Sequence, residues 1–223
     1  MPIRTLFIDL DDTVYPASLG LWIEIRTRID LYMHDRLGIP WEGLTEMRQN
    51  LFNIYGTSMR GLQQVYQIDQ HEFLAFVHDV PLSRYLKPDP MLRAALLCLP
   101  QRKIIFTNAD RNHARRVLAA LDLSDCFDQI IDIIDLDPYC KPMPAAFEIA
   151  LQLSGETDPR TCLLVDDQPR NIAAARKFGM PGMCINGLVT SAADCDACLP
   201  TLADLPLALA SFDVFSSEDP YEN

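Results

Sequence analysis

The stretch Leu6–Tyr15, LFIDLDDTVY, decides how the rest of the chain is read. The apolar run from Ile3 to Ile8 has the composition of a buried strand, and it stops abruptly at the carboxylates Asp9, Asp11 and Asp12, followed by the hydroxyl of Thr13. Side chains alternate along extended backbone, so Asp9 and Asp11 project to one side while Leu10 turns to the other. Two carboxylates held side by side repel unless they share a cation or a proton. Asp-x-Asp-x-Thr just past a strand therefore points to divalent-metal and phosphoryl-transfer chemistry. The plainer reading is an acidic turn in solvent, because Asp is common in turns. Partners farther along the chain decide between the two.

Working outward, residues 16–86 carry helical periodicity and no strand pattern. Trp22, Ile25, Ile29, Tyr32, Met33 and Leu37 share one helical face, and Gly38 and Pro40 end it. Leu44, Met47, Leu51 and Tyr55 mark a second helix that stops near Gly56. Asp69 with Glu72 three residues on is a capping-box pattern that opens a third, with Phe73, Phe76 and Val77 on one face. From Lys87 the rhythm changes. Asp89 and Pro90 read as an N-cap and first helical residue, and strands and helices then alternate. Strands are expected at 103–106, 129–134, 162–165 and 182–185, and helices at 111–121, 145–153 and 170–178. This βαβ order predicts an α/β fold, a doubly wound parallel sheet with an all-helical insertion after its first strand. The expected division is a core of 1–15 and 87–212, a helical cap at 16–86 and a fraying acidic tail at 213–223.

Composition narrows the function classes. A hydrophobic share of 49% over 223 residues is enough for a sizeable core. A net charge of −12 argues against a nucleic acid polymer or an anionic membrane as partner, although a small anion can still be held by local positive charge. No run approaches the roughly 20 apolar residues of a membrane span, so the cytoplasm is the expected location. Seven cysteines, an odd number, are expected to be reduced thiols, and Cys195 and Cys198 have CxxC spacing without the further ligands of a zinc site.

In open α/β sheets, ligands bind beyond the carboxyl ends of the strands. Just there stand Thr107 and Asn108 after one strand, Lys141 after the next strand and its loop, and Asp166, Asp167 and, one helical turn on, Asn171 after a third. Thr and Asn offer neutral hydrogen bonds to phosphate oxygens, Lys supplies a point charge, and a second Asp pair can complete a metal shell. Each is individually the sort of residue that caps helices. Their joint placement at the strand ends favours the chemical reading.

The ordered segments DLDDT, FTN, CKP and VDDQPRN resemble the four motifs of the haloacid dehalogenase superfamily of Mg²⁺-dependent phosphohydrolases. RGL at Arg60–Leu62, LKPDPMLR at Leu86–Arg93, FTNADRNHARRVL at Phe106–Leu118 and CKPMPAAFEIA at Cys140–Ala150 are similar to the pyrimidine 5′-nucleotidase group within it. The resemblance, over Thr5–Ile185, implies a Rossmann-like core with a mobile cap. It implies Asp9 as nucleophile, Asp11 as general acid and base, and Mg²⁺ held by Asp9, the Asp11 backbone carbonyl, Asp167 and in some degree Asp166. Thr107 and Asn108 are implied on the transferring phosphoryl group and Lys141 as its charge balance. Arg60 is the cap residue expected on the substrate, with Asn112 and His113 as further polar supply. The implied substrate is a small phosphomonoester, a pyrimidine nucleoside 5′-monophosphate. Asp12 stands where many members carry Gly or Asn, and is expected to shape the loop.

Competing readings are a phosphatase or phosphomutase for a small sugar phosphate or phosphoglycolate, a metal-free dehalogenase, which lacks the second Asp, and a phospho-accepting regulatory module. The last places its acceptor Asp on a later strand and has no large helical insertion.

Overall fold

A computed structural model describes residues 2–185 and 195–217. Six parallel strands form one sheet among these residues: β1 (Thr5–Ile8), β2 (Arg102–Phe106), β3 (Gln129–Ile131), β4 (Cys162–Asp166), β5 (Gly182–Ile185) and β6 (Ala197–Leu199), in the order β3-β2-β1-β4-β5-β6. The strand carrying the acidic motif is therefore central, paired to β2 by Phe7↔Ile104 and to β4 by Phe7↔Leu164.

Apolar alternation builds the two layers. Leu6, Ile8, Ile105, Leu163 and Val165 belong to one buried cluster, while Phe7, Ile104, Phe106 and Leu164 belong to the other. The first layer takes Leu92 and Leu96 of α5 (Pro90–Leu97) and Val117 and Leu118 of α6 (Arg111–Ala120). The second takes Phe147 and Ala150 of α7 (Pro144–Ser154) and Ile172 and Ala175 of α8 (Pro169–Lys177). Near-continuous apolar strands are what a parallel sheet covered on both faces requires. At Gly182 an added Cβ would stand 2.8 Å from Ile172 Cγ2, so the glycine lets α8 lie close on β5.

Between β1 and α5 the ordered elements are helical: α1 (Leu21–Leu37), α2 (Leu44–Tyr55), α3 (Ser58–Tyr66) and α4 (Gln70–Val77), with short 3-10 turns at Ala17–Leu19 and Leu82–Arg84. α1 buries Leu21, Ile25, Ile29, Tyr32 and Met33, and Tyr32 meets Phe73 and Phe76 edge-on, which seats α1 on α4. Asp69 caps α4 by accepting from the Glu72 amide, and Asp89 caps α5 by accepting from the Leu92 amide ahead of Pro90.

Several expectations are corrected. The strand expected over 129–134 ends at Ile131, because Asp132 and Asp135 accept hydrogen bonds from each other's backbone amides and close a turn. Helix α3 lies in a stretch with no expected element; its start is set by Thr57, whose hydroxyl accepts from the Arg60 amide. Of the expected tail, residues 213–217 belong to α9 (Leu205–Ser217), whose sequence through Phe215 is mostly apolar. Residues 186–194, inside the expected core, and 218–223 of the expected tail lie outside the described residues. No helix among the described residues is long and apolar enough to cross a membrane.

Candidate active site

The ladder runs one residue past β1, where the Asp9 amide donates to Val165 O at 2.9 Å, so Asp9 leaves the sheet at its carboxyl edge beside the end of β4. The chain then turns: the Val14 amide donates to Leu10 O at 2.9 Å, and Asp12 takes a left-handed φ of 59°. Only a residue tolerant of that region fits, and Asp belongs with Gly and Asn among them.

Lys141 is fully buried, and its Nζ donates to Asp9 Oδ1 at 2.7 Å and to Asp166 Oδ2 at 2.6 Å. Burial alone would lower the ammonium's pKa, but the Asp166 and Asp9 charges reverse that and raise it. Carboxylate oxygens of Asp9, Asp166 and Asp167 all lie within 4.8 Å of one another. Burial, opposed by Lys141 and reinforced by Asp166 and Asp167, holds the Asp9 carboxyl well above the usual range. Burial and then the Asp166 charge push Asp167 up to about 7. Three carboxylates around one lysine carry more negative charge than it balances, and a hard cation with oxygen preference fits that donor set.

Neighbouring residues divide the work. Asp166 also accepts from the Gln168 amide at 2.8 Å and from Asn171 Nδ2 at 3.0 Å, so it is braced on several sides. Among the described residues, the Asp167 carboxylate accepts from the Gln168 side chain. Asn108, expected on phosphate, is placed differently: its Oδ1 accepts from the Lys141 amide at 2.9 Å and its Nδ2 donates to Lys141 O at 3.0 Å. Both ends of the side-chain amide grip the Lys141 backbone, so the Asn108 side chain fixes the lysine. Thr107 is buried at the end of β2; its Oγ1 accepts from the Ala109 amide at 3.0 Å, which leaves the hydroxyl proton for another acceptor.

Asp11 has a separate set of partners. Its Oδ1 accepts from the Tyr15 hydroxyl at 2.6 Å and lies 2.9 Å from His113 Nε2. Burial would raise this carboxyl, but the neighbouring His113 and the hydrogen bonds from His113 and Tyr15 outweigh it and lower its pKa. Neither Tyr15 nor His113 was singled out for this part by the sequence. His113, expected near a substrate, is fully buried against Asp11.

Arg60 is also placed differently from expectation. It is buried, and its guanidinium donates to Ile133 O at 2.7 Å, Tyr139 O at 3.0 Å, Gln63 Oε1 at 2.9 Å and Gln70 Oε1 at 3.1 Å, and pairs with Asp137. These bonds dock α3 to the loop that leads into Lys141. Arg170 makes a second tie, donating to Gly56 O at 2.6 Å with its guanidinium 3.5 Å over the Phe52 ring. A cavity of about 710 Å³ opens between α4 and α6, lined by Arg28, His71, His78, Asp110, Arg111 and His113 among others. The Asp9 cluster does not line it; His113 connects it to the acidic loop.

Residues 3–179 match the family model described as haloacid dehalogenase-like hydrolase. Phosphate metabolism protein 8 of Saccharomyces cerevisiae is 30% identical over 191 residues, which covers 79% of this chain and 60% of that protein. The chain thus spans under two thirds of that relative's length. Among solved structures, 2-haloacid dehalogenase from Pseudomonas syringae superposes with a TM-score of 0.60 at 24% identity, covering 94% of this chain and 99% of that one. HAD phosphatase from Thermococcus onnurineus gives 0.64 at 19% identity over 93% and 98% of the two chains. HAD-hydrolase YfnB from Bacillus subtilis, bound to magnesium, gives 0.60 at 16% identity over 94% and 99%. At these identities the likeness speaks for the fold.

Proposed function

The chain belongs to the haloacid dehalogenase-like hydrolases, and from that premise we propose that it is a Mg²⁺-dependent phosphomonoester hydrolase that works through an aspartyl-phosphate on Asp9. The observation that carries this reading is the Asp9 carboxylate held by Lys141 within the cluster of Asp166 and Asp167 at the sheet's carboxyl edge. Asp9, Asp167 and the Asp11 backbone carbonyl would hold the cation, with Asp166 bracing Lys141 between them. When bound, Mg²⁺ supplies charge to the phosphoryl oxygens and suppresses repulsion between nucleophile and substrate.

Asp9 attacks phosphorus, forming the acyl–O–P bond as the ester P–O bond breaks. Lys141 and the Thr107 hydroxyl meet the negative charge on the transferring group. Asp11 gives a proton to the leaving oxygen, then takes one from the water that attacks phosphorus and frees Asp9. At rest Asp11 favours the carboxylate form, the one the water step needs. The negative charge of an arriving phosphate raises its pKa toward the form the first step needs. A dehalogenase reaction requires no such proton donor, and Asp11 with its own hydrogen-bond set speaks for the phosphatase.

Residues 1–15 and 87–212 are taken as the catalytic core and 16–86 as a cap that closes over it and excludes water. The substrate proposed is a nucleoside 5′-monophosphate, pyrimidine before purine, in the cytoplasm. The similarity of Phe106–Leu118 and Cys140–Ala150 to the pyrimidine 5′-nucleotidase group supports the first, and cysteines that are all free support the second. The test is phosphate release from UMP, CMP, AMP, GMP, sugar phosphates and phosphoglycolate, with Mg²⁺ and with chelator. UMP or CMP should lead in kcat/KM and chelator should abolish release. A sugar phosphate or phosphoglycolate ahead by tenfold, about 1.4 kcal/mol in the transition state, would overturn the nucleotidase reading and leave the phosphatase.

A further inference from the structure

We propose that His113 and Tyr15 are positioning residues that fix the Asp11 carboxyl so that Oδ2 is the oxygen exchanging the catalytic proton. The inference rests on the reading of Asp11 as acid and base given above. Both side chains meet the same atom: the Tyr15 hydroxyl donates to Oδ1 at 2.6 Å, and His113 Nε2 lies 2.9 Å from Oδ1. Two contacts on one oxygen set the plane of the carboxyl and leave the other oxygen for proton transfer. A carboxyl free to rotate would present its proton in the wrong place for part of the time, and small misplacements of a reacting group cost rate steeply.

The ring of His113 is itself constrained. It is fully buried, and its Nδ1 has no hydrogen-bond partner among the described residues. With the proton on Nε2, Nδ1 is a bare acceptor. A proton on Nδ1 instead would bury an orphan N–H and set the Nε2 lone pair against a carboxylate, so the Nε2–H tautomer is the one the geometry favours. The ring lies against His78, centroids 4.2 Å apart and planes 16° apart. His78 is in turn fixed by Nδ1 on Asp110 Oδ2, and Asp110 Oδ1 accepts from the Asn112 and His113 amides at the start of α6. One N-cap thus orients the stack that orients Asp11. His78 ends α4 in the helical insertion, so the insertion supplies a wall of the acid's housing through the His78–His113 stack.

The test separates the acid's step from the nucleophile's. Rates of single-turnover phosphorylation of Asp9 are measured with p-nitrophenyl phosphate, whose leaving group needs no proton, and with UMP, whose leaving alkoxide does. The proteins are the parent chain, His113→Ala, His113→Gln, Tyr15→Phe and Asp11→Asn. His113→Ala should lose at least tenfold more rate on UMP than on p-nitrophenyl phosphate. His113→Gln, which can still donate an N–H toward Oδ1, should recover part of that difference, and Tyr15→Phe should show a smaller split of the same sign. Equal losses on both substrates in every His113 and Tyr15 variant, while Asp11→Asn shows the split, would overturn the inference and leave the acid assignment standing. No split in Asp11→Asn, or no phosphorylated Asp9 in the parent, would defeat the underlying reading instead. Should His113→Ala fail to fold by circular dichroism, the Gln and Tyr15→Phe variants decide.

Discussion

Lys141 Nζ lies 2.7 Å from Asp9 Oδ1, and both residues are buried at the carboxyl edge of the sheet. A lysine hydrogen-bonded to the nucleophile it serves lowers the cost of burying that carboxylate and then meets the charge arriving on phosphorus. Lys141→Met should lower turnover by more than about a hundredfold, the scale on which loss of one charge-stabilising donor is felt. Tm should fall as well, since removing one partner of a buried ion pair costs about 3–5 kcal/mol. Kinetics and thermal unfolding check the two halves, and near-parental turnover would contradict the assignment.

Asp9→Asn and Asp11→Asn should both stop turnover, for different reasons. The first removes the nucleophile and should be inactive toward every ester. The second removes the acid and base, a loss on the order of a hundredfold or more, and an activated leaving group should rescue its first step. Parental turnover of an unactivated ester by either variant would show the roles to be wrong.

The acidic cluster predicts a pH-dependent response to metal. Burial and Asp166 push Asp167 up to about 7, and burial and Asp11 push Asp12 up to about 6, against an ordinary 3.8. A carboxyl whose pKa is raised on folding adds stability below its unfolded pKa, and that contribution is lost as pH rises through the folded value. In chelator the loss should therefore fall between about pH 4 and 7. A divalent cation replaces the protons, so the rise in Tm on adding Mg²⁺ should grow from pH 5 to pH 8 and shrink in Asp167→Asn. A rise independent of pH would count against a metal held by these carboxylates.

Much of this arrangement was legible in the chain. The apolar run ending at Asp9, the Asp89-Pro90 helix start and the alternation after Lys87 each express a local rule, and the sheet follows them. Placement of Asp9, Lys141, Asp166 and Asp167 together follows from sheet topology, which brings strand ends to one edge. What escaped was the assignment of polar side chains among competing partners. Nothing in RGL says that Arg60 will be spent on Ile133 O and Tyr139 O, and nothing in FTN says that Asn108 will grip the Lys141 backbone. Such contacts join residues far apart in sequence. His113 was visible as a polar residue six positions after Thr107, but its partner was set by how α6 lies against the acidic loop.

The docking of Arg60 makes a prediction opposite to that for a substrate contact. Arg60→Ala should lower Tm and raise KM for all nucleotides alike, leaving the UMP to AMP ratio of kcat/KM unchanged within about twofold, because the guanidinium is engaged by the chain's own carbonyls and side chains. A selective loss on pyrimidine substrates would restore the substrate-contact role.

The proposed cap gives a separate readout. Hydrogen exchange near Tyr15–Ser18 and Arg84–Lys87, where the helical insertion leaves and rejoins the core, should slow when a phosphate analogue binds with Mg²⁺. Unchanged exchange throughout 16–86 would argue for a fixed wall.

The central claim is that Asp9 carries the phosphoryl group. Asp11→Asn is mixed with an activated phosphomonoester and Mg²⁺, quenched in acid and reduced with borohydride, which converts an acyl phosphate to the alcohol, and the residue is located by peptide mass spectrometry. The account predicts homoserine at Asp9, dependent on both ester and Mg²⁺. Reduction at Asp12, Asp166 or Asp167 instead, or turnover by the parent with no modified residue in either protein, would contradict it.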